Sequence, residues 1–415
     1  MRRPTPGFAV KCISNSGNMD KIILKPGREE SLLRFHPWVF SGAIAQISGR
    51  PAEGDLVGVF SSRGDFLAYG HYQIGSIAVR ILSFDEDVLA PDFYEKMLSR
   101  ALQVRIAAGL HGSGTTDCYR LVHGEGDNLP GLIIDYYDGV CVMQAHSVGM
   151  FRAKSQIRDA LVGIYGSSLK AVYDKSSGTA PFKAGLDLVD GYLYRAPGFT
   201  DDEQVVRENG NRFYVNWTEG QKTGFFLDQR ENRAAVGRLS GGRNVLNLFC
   251  YTGGFSIYAL RGGALHVDSV DSSRKAMDMV DRNVALNGFD PSLHGSFCGD
   301  AIDFLRDVPD GKYDLIVVDP PAFAKHRGAL KNALRAYQRL NAAAISKVAP
   351  GGFVFTFSCS QVVDKEAFAL AVFSAAAETG RSVRILDRLN QPADHAVNIY
   401  HPEGEYLKGL LLYVE

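Results

Sequence analysis

The chain has 415 residues, of which 46% are hydrophobic, so we predict a globular protein of two or three domains. Its 45 basic and 46 acidic side chains give a net charge of −1, which provides no overall positive field for binding nucleic acid. The N-terminal sequence lacks the apolar core of a signal peptide, and no apolar run reaches the length of a membrane span. These features predict a cytoplasmic protein that makes no membrane contact.

Six cysteines are widely spaced and form no CxxC pair, which argues against a disulfide framework or a zinc ribbon. They are Cys12, Cys118, Cys141, Cys250, Cys298 and Cys359. We therefore expect reduced thiols and no metal site.

Charge is distributed unevenly along three segments of the chain. Residues 1–80 carry 10 Lys/Arg against 6 Asp/Glu, residues 81–205 carry 11 against 17, and residues 206–415 carry 24 against 23. Short apolar runs separated by glycine in the first segment predict a small β-barrel, which we place at 20–90. A helix with Pro91 in its first turn, followed by mixed strands and helices, predicts an α+β domain at 91–205.

From Asn244 onward, apolar strands alternate regularly with amphipathic helices. This alternation predicts an α/β fold with a parallel, doubly wound sheet, in a domain that spans 206–415. Ligands of such sheets bind at the carboxyl ends of the strands, so residues at those ends are the candidates for a site.

The first three strands of this domain end in residues suited to an adenosyl ligand. Gly253 and Gly254 let the backbone approach a ligand closely, and Asp271 lies 18 residues beyond Gly253, where it can accept hydrogen bonds from ribose hydroxyls. Asp300 can bind the exocyclic amine of adenine. Each residue alone has an ordinary role in a turn, but together they predict S-adenosylmethionine (SAM) rather than NAD, since a GxGxxG fingerprint is absent. The candidate cofactor residues here are Tyr251, Thr252, Gly253, Gly254, Asp271, Ser272, Asp300 and Ala301.

The fourth strand ends in a DPP sequence that begins at Asp319. The prolines would make a rigid tip with the acid beside the cofactor, and DPP in a SAM-type sheet is typical of enzymes that methylate nucleic-acid bases. The alternative is a turn that merely ends a strand. Within this loop, Pro320 and Phe323 are candidate substrate contacts.

The fifth strand ends at Cys359, next to the expected position of Asp319. A cysteine there is commonly a small buried hydrophobe. However, methylation of a pyrimidine at C5 requires a nucleophile at C6, and a thiolate suits that addition. Cys250 is the competing nucleophile, but its place in the cofactor turn favours a lining role.

The stretch between Pro320 and Val363 contains six basic residues and no acid. Among them, Lys331, Arg335 and Arg339 recur every four residues and so form one stripe on a predicted helix. A solvated helix face and a ridge that follows RNA phosphates explain this stripe equally well, and we take its three members as candidate substrate contacts. The six residues are Lys325, Arg327, Lys331, Arg335, Arg339 and Lys347.

Several motifs together resemble the rRNA large subunit methyltransferase I family. In the last segment they are GQKTGFFLDQRENR (220–233), LNLFCYTGGFS (246–256), VDSSRKAM (270–277), DPPAFAK (319–325), FSCS (357–360) and PEGEYLKG (402–409). Upstream, LKPGREESLLRFHPWVFSGAI (24–44) is similar to that family's N-terminal PUA domain, and LVHGEGDNLPGLIIDYY (121–137) to its central α+β domain.

The resemblance implies a Rossmann-like SAM methyltransferase domain, a PUA-like module that binds RNA, and ribosomal RNA as the partner. It implies formation of 5-methylcytosine in 23S rRNA by bacterial enzymes that are often dimeric, which makes a homodimer a candidate assembly. In this chain Cys359 would attack C6 and Asp319 would hold the cytosine edge. The 220–233 motif would fold over the cofactor, with Lys222, Thr223 and Gln229 as contacts.

Three other functions compete with this hypothesis. Related proteins with DPP loops methylate guanine, for which Cys359 would be dispensable. The chain could instead be a non-catalytic RNA-binding or ribosome assembly factor, in which case it would not bind SAM. A small-molecule methyltransferase is the third alternative, and the two additional domains argue against it.

Overall fold

The computed structural model describes residues 19–181, 184–324 and 326–415, so Cys12 and Lys325 lie outside the described residues. The chain divides into two compact units. The first consists of residues up to 108, Tyr119–Thr200 and Ala396–Gly404, and the second of Gly109–Cys118, Asp201–His395 and Glu405–Glu415. The division into three domains at 90 and 205 stays a prediction.

The first unit begins with a six-stranded sheet of short strands, in the order β2-β6-β5-β4-β1-β3. Its elements are β1 (Lys21–Leu24), helix α1 (Glu30–Leu33), β2 (Trp38–Phe40), β3 (Ile44–Ser48), β4 (Leu56–Phe60), β5 (Phe66–Tyr72) and β6 (Ile77–Ser83). Strand β1 is parallel to β4 and antiparallel to β3, and Ile22, Val57 and Val79 are fully buried in its core. This sheet occupies the segment for which the sequence predicts a β-barrel.

The first unit also contains a five-stranded sheet in the order β11-β10-β9-β8-β7. The elements are α2 (Phe93–Ala107), β7 (Cys118–His123), β8 (Leu132–Tyr137), β9 (Val140–Ala145), α3 (Val148–Arg152), α4 (Lys154–Tyr165), β10 (Ala171–Asp174) and β11 (Gly191–Arg195). Strands β9 and β10 are parallel, whereas β8 and β9 are antiparallel. The prediction for Pro91 was wrong, because α2 begins at Phe93 and the proline precedes its first turn.

The second unit opens with the hairpin β12 (Glu203–Glu208) and β13 (Asn211–Asn216) and then forms a seven-stranded sheet. The sheet strands are β14 (Asn244–Leu248), β15 (His266–Asp271), β16 (His294–Cys298), β17 (Tyr313–Val318), β18 (Val348–Ser358), β19 (Val383–Asn390) and β20 (Lys408–Val414). Their order is β16-β15-β14-β17-β18-β20-β19. The first five are parallel, and β20 is antiparallel to both β18 and β19.

Six α-helices accompany these strands in the described residues, and three of them have a side-chain N-cap. They are α5 (Arg230–Leu239), α6 (Gly254–Arg261), α7 (Arg274–Leu286), α8 (Ala301–Asp307), α9 (Leu330–Lys347) and α10 (Lys365–Thr379). Ser273 caps α7 by accepting from the Ala276 N–H, and Asp364 caps α10 by accepting from the Ala367 N–H. None of the helices in the described part of the chain combines the length and hydropathy of a membrane span.

The strand order defines where the second unit can bind a ligand. Strand β14 pairs with β15 on one side and with β17 on the other, so the chain reverses its direction of winding there. Such a reversal opens a crevice outside the carboxyl ends of the strands. The doubly wound sheet predicted from Asn244 onward is therefore present, but it is mixed rather than wholly parallel, because β20 is antiparallel to both of its neighbours.

Candidate active site

A cavity of about 250 Å³ lies at the carboxyl edge of the seven-stranded sheet. It brings together most of the predicted site residues, including both reactive candidates, Asp319 and Cys359. The predicted residues that line it are Lys222, Gln229, Tyr251, Thr252, Gly254, Asp271, Ser272, Asp300, Ala301, Asp319, Pro320 and Cys359. Residues from five strand ends thus face a single space.

The turn after β14 is built from alternating left-handed residues. Phe249, Tyr251 and Gly253 have φ values of 57°, 48° and 80°. A Cβ at Gly253 would lie 3.0 Å from the Val280 side chain, and one at Gly254 would lie 2.9 Å from the Arg233 side chain. Both glycines are therefore needed, although Gly253 supports the turn without lining the cavity.

Asp271 ties this turn to the end of β15. Its Oδ2 accepts a hydrogen bond from the Tyr251 N–H at 3.0 Å, and its Oδ1 accepts from the Ser273 N–H at 2.9 Å. Each carboxylate oxygen has a second lone pair. Asp271 can therefore position the turn and still accept hydrogen bonds from a ligand in the cavity.

Asp300 has a structural role alongside its predicted one. It caps α8, and its Oδ1 accepts from the N–H groups of Ile302 at 2.8 Å and Asp303 at 3.0 Å. Both cap bonds use the same oxygen. Asp300 lines the cavity, and its Oδ2 accepts neither of the two cap hydrogen bonds.

The 220–229 segment meets the glycine turn through Tyr251. The Tyr251 hydroxyl donates to the Gly224 carbonyl at 3.1 Å and accepts from the Gln221 N–H at 2.9 Å. The ring of Phe226 packs edge-on against Tyr251, with centroids 5.0 Å apart, and the Lys222 Nζ lies 4.7 Å from the Phe226 centroid. This segment therefore forms one wall of the cavity.

Asp319 is half-buried at the tip of β17, and its Oδ2 accepts a hydrogen bond from Gln229 Nε2 at 3.0 Å. Burial, followed by the negative charge of Asp228, raises the pKa of Asp319 to about 7. The Gln229 hydrogen bond and the positive charge of Lys222 act in the opposite direction. Asp319 can accordingly hold or release a proton near neutral pH.

Cys359 follows β18 and is half-buried in the same cavity. Burial and the charge of Asp319 raise its pKa, whereas the charge of Lys222 lowers it. By contrast, Cys250 is 5% exposed, contacts the Met277 sulfur at 3.6 Å, and has a pKa well above its usual value because it is buried. The geometry thus favours Cys359 over Cys250 as a nucleophile and leaves Cys250 as a lining residue.

Five other predicted residues lie outside the cavity. Thr223 is 1% exposed and does not line the cavity, and Phe323 packs on Tyr337 with ring centroids 4.8 Å apart. The stripe residues are exposed on α9, where Lys331 and Arg335 line a separate groove against α10. The third stripe residue, Arg339, lines neither space.

Several residues that line the cavity were not predicted from the sequence. Half of them belong to the 220–233 motif, where no helical or strand periodicity indicates which side chains point inward. Two charged residues among them can be rationalised: Arg233 forms a double hydrogen bond with buried Glu208, and Asp228 accepts from the Tyr406 hydroxyl at 2.7 Å. The missed residues are Gln221, Phe225, Phe226, Asp228, Arg233, Phe249, Phe255, Gly299, Pro321 and Leu407.

One group in the first unit has a composition that could suit a metal, namely His36, His401 and Glu403. The Trp38 N–H donates to Nδ1 of His36 at 3.2 Å, which leaves the proton of the neutral ring on Nε2. Nε2 is the nitrogen that faces Glu403, at 3.6 Å. In this arrangement His36 presents a donor rather than a lone pair to Glu403.

Comparison with protein families matches both ends of the chain. The family model of the S-adenosylmethionine-dependent methyltransferases matches residues 191–411, and that of the PUA-like domain matches residues 22–84. The predicted methyltransferase domain, its SAM cofactor and the N-terminal PUA-like domain are therefore confirmed.

Solved structures support the same fold. A SAM-dependent methyltransferase from Streptococcus mutans has a TM-score of 0.80 and 22% sequence identity, and the match covers 95% of this chain and 100% of that one. A methyltransferase complexed with SAH has a TM-score of 0.81, with the same identity and coverage. At this level of identity the likeness concerns the fold.

Curated relatives match over almost the whole chain. Ribosomal RNA large subunit methyltransferase I of Pseudoalteromonas translucida is 42% identical over 398 residues, which cover 94% of this chain and 98% of the relative. The protein of the same name from Aeromonas hydrophila is 40% identical, with the same coverage. The chain therefore belongs to the ribosomal RNA large subunit methyltransferase I family, and it is a SAM-dependent methyltransferase.

Proposed function

We propose that this protein transfers a methyl group from SAM to C5 of a cytosine in 23S ribosomal RNA, through a covalent bond between Cys359 and C6. The observation that carries the proposal is that Cys359 and Asp319 line the same cavity as Tyr251 and Asp271. The names of the curated relatives support ribosomal RNA as the substrate. The proposal that the methylated atom is C5 of a cytosine rests on the chemistry of the residues in the cavity.

The cavity residues fit an adenosyl ligand. Asp271 presents two oxygens toward ribose hydroxyls, and the Asp300 carboxylate lies at the next strand end, where an exocyclic amine can be bound. A side chain at Gly254 would meet Arg233 and narrow the cavity. SAM bound there supplies an electrophilic methyl group on a sulfonium centre.

The residues of the chain activate the cytosine for this transfer. The thiolate of Cys359 adds to C6, while N3 takes a proton from the Asp319 carboxyl group, whose pKa of about 7 lets it be protonated at neutral pH. The C5=C6 bond becomes single and a C4=C5 enamine forms, so that C5 is nucleophilic and takes the methyl group, with the sulfonium sulfur as the leaving group. A base then takes the C5 proton, the C6–S bond breaks to return the thiolate, and N3 returns its proton to Asp319.

The substrate must reach this cavity as a single base. A cytosine in a stacked duplex cannot place C6 beside Cys359, so the enzyme would bind an unstacked nucleotide. The PUA-like domain at 22–84 would contribute RNA binding, in keeping with the excess of four positive charges over residues 1–80.

A substrate in which the C5 proton is replaced by fluorine tests the mechanism. On rRNA fragments containing 5-fluorocytidine, methyl transfer cannot be followed by loss of the C5 substituent, so a covalent adduct should accumulate in the presence of SAM. The Cys359→Ala variant should form no adduct and no 5-methylcytosine, whereas Cys250→Ala should form both. Methylated guanosine in the product, or full activity of Cys359→Ala, would refute the proposal.

A further inference from the structure

Lys408 is a buried cation with no carboxylate partner in the part of the chain that the structure describes. It is the first residue of β20, where it pairs with Ser358 of β18, and its side chain is only 6% exposed. Among the described residues its Nζ forms no ion pair, and it donates instead to the carbonyls of Ser360 and Val363, each at 2.6 Å. Burying an ammonium group without a neighbouring carboxylate is costly, so its position needs a physical explanation.

The two carbonyls belong to the turn that immediately follows Cys359. The Val363 N–H donates to the Ser360 carbonyl at 3.2 Å and closes the turn, and the Ser360 hydroxyl donates to the Ala324 carbonyl of the DPP loop at 2.6 Å. The Lys408 ammonium therefore holds both ends of the turn that carries the cysteine, and that turn is bonded to the loop carrying Asp319.

The pKa of Lys408 reflects its burial and the charges of the groups around it. Burial lowers its pKa to about 8, and the nearby negative charges of Cys359, Asp364 and Glu405 oppose that shift. At neutral pH the amine remains mostly protonated. Among these three groups Cys359 has the largest effect on Lys408, and Glu405 is paired with Lys365 at the surface.

We infer that Lys408 is a positioning residue for the nucleophile: it holds the Ser360–Val363 turn and its positive charge stabilises the Cys359 thiolate. The inference rests on the proposed function for the use of that thiolate, but not for its existence. Lys408 does not line the cavity, so it acts on the reaction only through Cys359.

The pH dependence of Cys359 alkylation tests this inference without RNA or SAM. The rate of iodoacetamide modification is followed by mass spectrometry of the Cys359 peptide, across the pH range in which thiols titrate. In Lys408→Met the thiol pKa should rise, so that alkylation at neutral pH becomes about tenfold slower. Lys408→Arg keeps the charge and should stay close to the parent rate. Lys365→Met, which removes a neighbouring exposed cation, is the matched control and should also match the parent.

Each outcome decides for or against Lys408. Parent-like alkylation of Lys408→Met, or an equal loss in Lys408→Arg and Lys408→Met, would overturn the inference. Circular dichroism and SAM binding establish that each variant is folded, and Lys408→Gln replaces Lys408→Met if the latter does not fold. If neither neutral variant folds, Lys408→Arg decides. Arginine keeps its charge at alkaline pH, where Lys408 loses it, so an alkylation rate below that of the parent at alkaline pH would contradict a role for the charge. Because the assay needs no substrate, failure of the parent to form the fluorocytidine adduct is a separate result.

Discussion

Gln229 Nε2 donates a hydrogen bond to Oδ2 of Asp319 across 3.0 Å, and this links the 220–229 segment to the DPP loop. The amide of Gln229 is fixed in that orientation, because Asn232 Nδ2 donates to Gln229 Oε1 at 2.6 Å. Asp319 is therefore held by a neutral donor rather than by an adjacent cation. This explains how burial can raise the pKa of the carboxyl group to about 7 while the group remains oriented.

Replacing Gln229 by leucine should raise the pKa of Asp319 further, because the lost hydrogen bond favours the carboxylate. The alkaline limb of the pH profile of kcat/KM for methyl transfer should move upward by roughly one unit, the equivalent of one net hydrogen bond. Asn232→Leu frees the Gln229 amide and should give a smaller shift in the same direction. An alkaline limb that stays in place in both variants would show that Asp319 is not the group titrating there.

Replacing Asp228 by asparagine should have the opposite effect. The negative charge of Asp228 raises the pKa of Asp319, so its removal should move the alkaline limb of kcat/KM to lower pH. Folding stability should respond as well. The folded state binds more protons at Asp319 than the unfolded state between its ordinary pKa of 3.8 and about 7, so stability falls as pH rises through that window.

In Asp228→Asn this pH-dependent loss should be smaller, which urea unfolding at several pH values would measure. The carboxylate of Asp228 also accepts from the Tyr406 hydroxyl, and Tyr406→Phe is the control for loss of that hydrogen bond. A profile that shifts equally in Tyr406→Phe would assign the effect to geometry rather than to charge.

The parts of the site at strand ends could be predicted from the sequence, since the last residue of an apolar run marks the end of a strand. Asp271 is the last residue of β15, Asp319 and Cys359 directly follow β17 and β18, and these parallel strands carry all three to one edge. The 220–229 segment could not be treated in this way. Thr223 is buried outside the cavity whereas Phe226 lines it and packs against Tyr251, a contact that no periodicity in the sequence indicates.

Some contacts around the site join residues that are distant along the chain. Asp228 meets Tyr406 across 178 residues, and Lys408 reaches Ser360 from the antiparallel strand β20. The sequence alone does not indicate that the closing PEGEYLKG motif contacts the turn after Cys359, because nothing in its composition specifies its strand partner. The N-cap role of Asp300 can be predicted from the sequence, however, since an acid just before a helix is a common N-cap.

Replacing Gly253 by alanine should weaken SAM binding several-fold. Its φ of 80° costs an L-residue about 1–2 kcal/mol, and the added Cβ would lie 3.0 Å from Val280 and displace the cofactor turn. Gly288→Ala is the matched control, because Gly288 has a φ of 71° with no atom within 4 Å of the added Cβ. Both variants should lose stability in urea unfolding, Gly253→Ala more because of the Val280 contact, but only Gly253→Ala should lose affinity in calorimetry with SAM. Equal affinities would mean that the turn does not hold the cofactor.

Replacing Lys331, Arg335 and Arg339 together by glutamine tests the α9 stripe as an RNA contact. All three are exposed, and among the described residues none forms an ion pair that would already neutralise its charge. Each phosphate contact to single-stranded RNA contributes about 0.7 to the slope of log K against log salt concentration. The triple variant should therefore bind rRNA fragments more weakly, with a slope that is smaller in magnitude by about 2.

The control for this variant removes three exposed cations of the same unit that are already paired, namely Lys275, Arg306 and Arg384. Both triple variants lose three positive charges, so an effect of net charge alone would change the two salt slopes equally. A slope that changes only in the stripe variant would assign the loss to local phosphate contacts beside the DPP loop. An unchanged slope in the stripe variant would identify the stripe as a solvated helix face, since exposed charges that touch no phosphate release no counterions on binding.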